Sequence, residues 1–183
     1  VPQLRSLFAD ELQEVTDMPS IRASEIRLFT VIRNERWRLP WFLKFYRNLG
    51  VDRFFFVDND STDGSLEWLR AAGADVHVFH TSMPYARGRS GVVWINALME
   101  RFGQNGWNMY VDVDEAFVFP YMETVGLSGL IAYLDEQGHD AVSGQMVDMF
   151  SNHPVPTPAP DAEFDFEKNY PLFDAAYQRV PSL

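Results

Sequence analysis

Two periodicities alternate along the chain. Residues 26–32, 54–57 and 76–79 are short β-favouring runs, and Phe54, Phe55, Phe56 and Val57 are apolar without a break, as in a strand buried on both faces. Between them the apolar residues recur at helical spacing. Leu39, Phe42, Leu43, Tyr46 and Leu49 share one face of a helix over 39–49, and Gly50 is its expected stop. Leu66 and Leu69 predict a second helix, capped at or beside Asp63 and ending near Gly73. Trp94, Leu98 and Phe102 predict a third over 92–102, and a fourth runs over 127–136 with Gly138 as its end. Residues 107–113 read as the fourth strand and 141–147 as another; 84–91 is a loop and 103–106 a turn. Leu4, Phe8 and Leu12 have helical spacing and predict a leading helix followed by a linker.

This alternation predicts an α/β fold: three layers, with a mainly parallel sheet covered by helices on both faces, a Rossmann-like arrangement. The organisation expected is a leading helix and linker over 1–25, one domain over 26–150, and a separate region over 151–183. That last region begins with Pro154, Pro156, Pro158 and Pro160, a spacing incompatible with a helix or a central strand. No internal repeat is visible.

Composition narrows the function. Among 183 residues 46% are hydrophobic and 15% aromatic, enough for a sizeable core. The net charge of −11 argues against a general nucleic-acid binder, which needs a cationic footprint. The absence of cysteine excludes disulfides, zinc–cysteine sites and thiol catalysis. It fits a reducing compartment, so the expected location is cytoplasmic, with membrane association left to segments outside this sequence. No apolar run approaches the roughly 20 residues of a membrane-spanning helix. The first residues carry neither an initiator Met nor a signal-peptide pattern, and the last form no clear terminal element, so the chain is expected to continue at both ends.

Ligands of parallel sheets bind beyond the carboxyl ends of the strands, and the polar clusters fall there. Asp112-Val113-Asp114-Glu115 follows an apolar strand. Such neighbouring carboxylates repel one another unless solvent or a hard cation screens them; a divalent ion held by one or two of them keeps positions open for phosphates. The competing reading is a solvated turn with helix-capping acids. Asp58-Asn59-Asp60-Ser61-Thr62-Asp63-Gly64 is denser in polar groups than a turn requires, although a capped turn uses the same residue types. It is not an EF-hand loop, because the fifth, sixth and twelfth positions are Thr62, Asp63 and Leu69. Arg33-Asn34-Glu35-Arg36 is either a ligand loop or a salt-bridged lead into a helix. Arg87-Gly88-Arg89-Ser90-Gly91 offers two cations and a helix N-terminus to an anion, or is a flexible basic loop.

Other chemistries lack their residues. There is no Gly-x-Gly-x-x-Gly, no phosphate-loop Gly-Lys-Ser/Thr and no Gly-x-Ser-x-Gly elbow. His77 and His80 lie at or near a strand end without a close acidic partner and read as packing or surface residues. Trp37, Trp41, Phe42, Phe45 and Tyr46 read as core.

In order and at this spacing, Val31-Ile32-Arg33-Asn34-Glu35, Leu49-Gly50-Val51-Asp52-Arg53-Phe54, Val57-Asp58-Asn59-Asp60-Ser61-Thr62-Asp63-Gly64 and Tyr110-Val111-Asp112-Val113-Asp114-Glu115 resemble the family-2-type glycosyltransferases of the GT-A fold, in the bacterial branch whose first strand ends in Arg-Asn-Glu. The resemblance covers residues 26–150. It implies a nucleotide-diphospho-sugar donor, first of all a UDP-sugar, with Mn2+ or Mg2+, and an inverting transfer to the hydroxyl of a saccharide, lipid or protein acceptor. By position it implies Arg33, Asn34, Glu35, Asp58, Asn59 and Asp60 around the nucleotide, Asp112 near ribose and diphosphate, and Asp112 and Asp114 on the metal, with Asp114 the principal ligand. Arg87 and Arg89 match no family motif and are donor contacts by their loop alone. Asp148, after the last expected strand, is the candidate general base, and 151–183 would begin the acceptor side. The alternatives are a sugar nucleotidyltransferase, which would call for a glycine-rich basic loop where Arg33-Asn34-Glu35 stands, and a catalytically silent carbohydrate- or protein-binding domain.

Overall fold

A computed structural model describes residues 11–18, 20–151 and 164–173. Five strands form one sheet in the order β1-β4-β3-β2-β5: β1 is Gln13–Glu14, β2 Arg27–Ile32, β3 Arg53–Asp58, β4 Val76–His80 and β5 Asn108–Tyr110. All neighbours are parallel except β1, which pairs antiparallel with β4 through Gln13 and Glu14. The chain runs β2, β3, β4 in one direction across the sheet and then returns to place β5 on the far side of β2. The reversal falls between β2 and β5, and such a point leaves a crevice at the strand carboxyl ends.

The helices follow from the residues that cover the two faces. Leu28, Ile32, Phe54, Phe56, Val76 and Val78 point to one face and pack with Leu39, Phe42, Leu43, Tyr46 and Leu49 of α1 (Leu39–Leu49) and with Leu69 of α2 (Ser65–Arg70). Phe29, Phe55, Val57 and Phe79 point to the other and pack with Trp94, Ile95 and Leu98 of α3 (Val92–Phe102). Phe54 to Val57 are wholly buried, as a strand covered on both faces must be. Gly50 ends α1 at φ 108°, a conformation that spares it the Cβ clash another residue would meet.

Several expectations are corrected. Residues 13–14 are extended against β4, so the leading helix does not reach Leu12; Leu4 and Phe8 lie outside the described residues. The strand expected over 107–113 pairs only over Asn108–Tyr110, because its outer edge has no neighbour. That neighbour would be 141–147, and those residues are exposed and unpaired. A cavity of about 950 Å³ opens there instead, between β5, α4 (Met122–Glu136) and the Ala141–Gly144 stretch. The helix of 127–136 extends back to Met122 across a break at Gly126 (φ 57°, ψ −173°). The proline-rich stretch 153–160 lies outside the described residues, while 164–173 forms a short α5 (Phe166–Asn169) and a β7 (Leu172–Phe173) that pairs with β6 (Met149–Phe150). Among the described residues no helix is long and apolar enough to cross a membrane.

The loop from β4 to α3 is pressed onto β2. A Cβ on Gly91, which has φ 82°, would lie 2.8 Å from Val31 Cγ2. Gly91→Ala should therefore destabilise the protein by about 1–3 kcal/mol, through left-handed strain and overpacking together. Urea unfolding followed by circular dichroism checks this; an unchanged midpoint would contradict the close packing.

Candidate functional site at the carboxyl ends of the strands

At the ends of β2 and β3 the chain must satisfy N–H groups that have left the sheet. It does so by joining the two loops. Asn34 N donates to Ser61 Oγ (2.9 Å), Glu35 N to Ser65 Oγ (3.0 Å), Arg36 N to Asp63 Oδ2 (2.9 Å) and Thr62 N to Asn34 Oδ1 (2.7 Å). Asn34 and Asp60 take left-handed conformations, both at φ 60°, which Asn and Asp tolerate better than most residues. Asp63 stands one residue ahead of the α2 cap position, Gly64, and accepts from Ser65 N and Ser65 Oγ. Burial alone would raise its carboxyl, but these bonds and the one from Arg36 N hold it below the usual carboxylate range.

This bonding corrects part of the expected nucleotide surface. Asn59 is buried and its Nδ2 donates to Thr81 O (3.1 Å) and Met83 O (2.8 Å), so it ties the β3 and β4 loops together. Asp58 is fully buried; its Oδ2 accepts from Ser61 N (3.2 Å) and lies 3.2 Å from His80 Nδ1. His80 thus has an acidic partner, supplied by strand pairing across 22 residues of sequence. Arg33, Asn34 and Asp60 remain exposed.

Across the sheet reversal, Val111 and Val113 are buried while Asp112 and Asp114 are exposed, an alternation that anchors the turn and turns both acids outward. The turn is closed by Asp112 N donating to Glu115 Oε2 (2.9 Å) and Glu115 N to Asp112 O (3.0 Å). The buried Tyr46 hydroxyl of α1 donates to Glu115 O (3.1 Å) and accepts from Phe117 N (3.0 Å), fixing the turn to the core. Partial burial first, and the charge of Asp114 second, raise the Asp112 carboxyl, against a hydrogen bond from Tyr110 Oη (3.3 Å). Burial likewise raises the Glu35 carboxyl; Arg38, whose Nη1 is 2.6 Å from Glu35 Oε2, opposes this, and Asp114 and Asp63 add to it. Asp114 and Glu35 therefore sit within each other's field although β5 and β2 deliver them separately.

Among the described residues no group of three or more acidic or imidazole side chains is arranged to hold a metal. Asp112 and Asp114 alone suit a hard divalent ion that completes its shell with water and phosphate, and their mutual repulsion is what such an ion relieves. Glu115 is engaged with Asp112 N.

The loop over 84–91 leans toward the same turn, since Asp112 adds to the upward pull that burial exerts on the Tyr85 phenol. Tyr110 is pushed up to about 12 by burial and then by Asp112 and Tyr85. Arg87 and Arg89 are exposed. The helix N–H groups expected to bind an anion are occupied: Val92, Val93, Trp94 and Ile95 donate to Arg89 O, Gly88 O and Gly91 O. Any anion role falls to the guanidinium groups. Asp148, the expected base, is exposed just before β6.

Sequence reasoning missed His80, Tyr46, Tyr85, Tyr110 and Arg38. Only Arg38 carried a local signal, the three-residue spacing from Glu35. It also meets Tyr170 Oη (3.5 Å), within an aromatic group of Trp37, Trp41, Phe164 and Phe166 that seats 164–170 against α1.

Tyr46→Phe would leave Glu115 O and Phe117 N without their partner, and should lower stability by about 1–3 kcal/mol in urea unfolding with the slope unchanged. Asp112→Asn tests the carboxylate repulsion. A carboxyl raised by the fold destabilises the native state above its folded pKa and ceases to do so below its unfolded pKa. The ligand-free variant should thus melt about 1–2 °C above wild type at pH 7, a small gain because the exposed charge is screened, and the gain should vanish near pH 3. Equal melting at both pH values would remove the repulsion argument. No family model matches the chain, and no curated protein matches it significantly; the site stands on its own geometry.

Proposed function

We propose that this chain binds a nucleotide-diphospho-sugar at the ends of β2, β3 and β5 and belongs to a metal-dependent glycosyltransferase of the GT-A kind, with its sheet as the central layer of three. The observation that carries the reading is that Glu35 and the Asp112–Asp114 turn follow β2 and β5, the parallel neighbours between which the strand order reverses. A parallel sheet opens its ligand crevice there, and the exposed carboxylates stand where a divalent cation would be needed to offset a diphosphate. The joined β2 and β3 loops give a rigid wall from which Arg33, Asn34 and Asp60 face outward.

In this reading Asp112 and Asp114 would hold Mn2+ or Mg2+, with Asp114 the principal ligand. The bound ion supplies neutralisation of charge on the leaving nucleoside diphosphate. The chain's own residues hold and orient. Tyr46 keeps the acid turn fixed to α1, and Arg38 steadies Glu35 beside it. Arg87 and Arg89 add cations from the loop beside Tyr85. An acceptor hydroxyl, on a saccharide, lipid or protein, attacks the anomeric carbon; the bond from that carbon to the diphosphate oxygen breaks with inversion, and the hydroxyl proton passes to a general base. The region 164–170, seated on α1 beside Arg38, is the start of the acceptor side.

Titration calorimetry of UDP and then GDP, with and without Mn2+, tests this in the wild type and in Asp114→Asn. The expected result is binding that requires Mn2+, prefers one base, and weakens at least about tenfold in the variant, the loss of a charge-assisted contact. Absence of binding by either nucleotide under every condition would replace the reading with a silent binding domain.

A further inference from the structure

We infer that His80, held in one tautomer by the buried Asp58, is the side chain that recognises the nucleoside half of the donor; the inference rests on the donor site proposed above. Asp58 and His80 are register partners at the carboxyl ends of β3 and β4, so their side chains share one face of the sheet. The Asp58 side chain is 0% exposed and the His80 side chain 25%. With a carboxylate oxygen 3.2 Å away, the imidazole keeps its proton on Nδ1 and donates it to Asp58 Oδ2. With Nδ1 on Asp58, Nε2 is the ring nitrogen left for a ligand, and it has no partner among the described residues.

His77 shows what a packing histidine looks like in the same strand. It is 1% exposed, its ring lies against Phe55 at 5.1 Å, and Nδ1 is 3.3 Å from Asp17 O. Burial draws it below the ordinary imidazole range, the shift of a side chain kept neutral inside a core. His80 differs in each respect that matters to a ligand: it reaches the surface, it sits at the ligand end of its strand, and it is backed by a charge.

A second observation concerns Asp58. Its Oδ1 is buried and has no hydrogen-bond partner. A buried carboxyl oxygen without a partner is costly inside a protein, and a turn that only needed an acceptor for Ser61 N could use a side chain that leaves no such atom. A carboxylate that orients an imidazole accounts for that expense.

The nucleoside is the part of the donor that fits. Ser61 N donates to Asp58, and Ser61 Oγ accepts from Asn34 N, so His80 belongs to the network that shapes the Arg33–Glu35 loop. The acid turn follows β5, and in the sheet order β4 stands three strand spacings from β5, about 14 Å at the usual interval. A diphosphate at the turn therefore directs ribose and base toward β3 and β4. A ribose hydroxyl both donates and accepts, so it suits the outward Nε2 of His80.

Calorimetric titration of UDP, GDP and inorganic pyrophosphate in Mn2+ tests the assignment. His80→Ala should weaken the preferred nucleoside diphosphate about tenfold and leave pyrophosphate unchanged, and His80→Gln should recover part of the loss. In the wild type, nitrogen-15 spectra should show His80 as the Nδ1–H tautomer, with the Nε2 resonance moving when UDP or GDP saturates the site. Unchanged nucleotide affinity in a folded His80→Ala, with Asp114→Asn still weakening binding, overturns the role of His80 and leaves the donor site standing. Equal weakening of pyrophosphate overturns the nucleoside assignment. If the variants fail to fold, an Nε2 resonance that does not move in the wild type overturns it. No nucleotide binding in the wild type overturns the donor reading and this inference together.

Discussion

The central position of β2 is the constraint on which the molecule depends. It hydrogen-bonds in parallel to β3 on one side and to β5 on the other, and so carries the reversal of strand order. Its residues are buried on both faces, with Phe29 stacked on Phe55 and Leu28 and Ile32 beneath α1. At its amino end the buried Arg27 donates to Arg22 O (2.8 Å) and Gln104 O (3.3 Å), tying the segments before β2 and before β5 to one guanidinium. A charge can be buried there because carbonyls from two sides accept its protons. With β2 fixed at both ends, the loops that leave β2 and β5 must meet at its carboxyl end.

Most of this was legible in the sequence where one element decides its own fate. Helix α1 ends where Gly50 permits a left-handed turn, and α3 spans the residues whose apolar spacing predicts it. The sequence was a poor guide where an outcome depends on a neighbour. β5 is short and 141–147 is unpaired because pairing is a joint property of two edges; alternation in one segment does not supply the other. The same limit applied to His80. Its partner is adjacent through strand register and distant in sequence, so no local pattern could reveal it.

The polar run 58–64 shows a second limit. Asp, Asn, Ser and Thr at a strand-to-helix turn suit a ligand and suit the backbone equally well. Here the backbone takes most of them. Asn59 bonds the β4 loop, Asp63 serves Arg36 N and Ser65, Ser61 serves Asn34 N, and Asp58 turns inward. Asp60 is left exposed, in a left-handed conformation that its neighbours impose. The density that suggested a nucleotide surface is largely the density needed to join two loops without unpaired N–H groups.

That division of labour bears on where chemistry can occur. A polar group already satisfied by the backbone gains little from a ligand, because the ligand must replace a bond already made. The groups able to gain are those the fold has left unsettled: Asp112 and Asp114 in mutual repulsion, Glu35 raised by burial beside them, and the outward nitrogen of His80. They occupy the two ends of one crevice edge, carboxylates at β5 and an imidazole at β4, with the rigid β2–β3 loops between. A cation and diphosphate at one end and a hydrogen-bond donor at the other would settle each of them. The nucleoside-diphosphate donor proposed above would carry both.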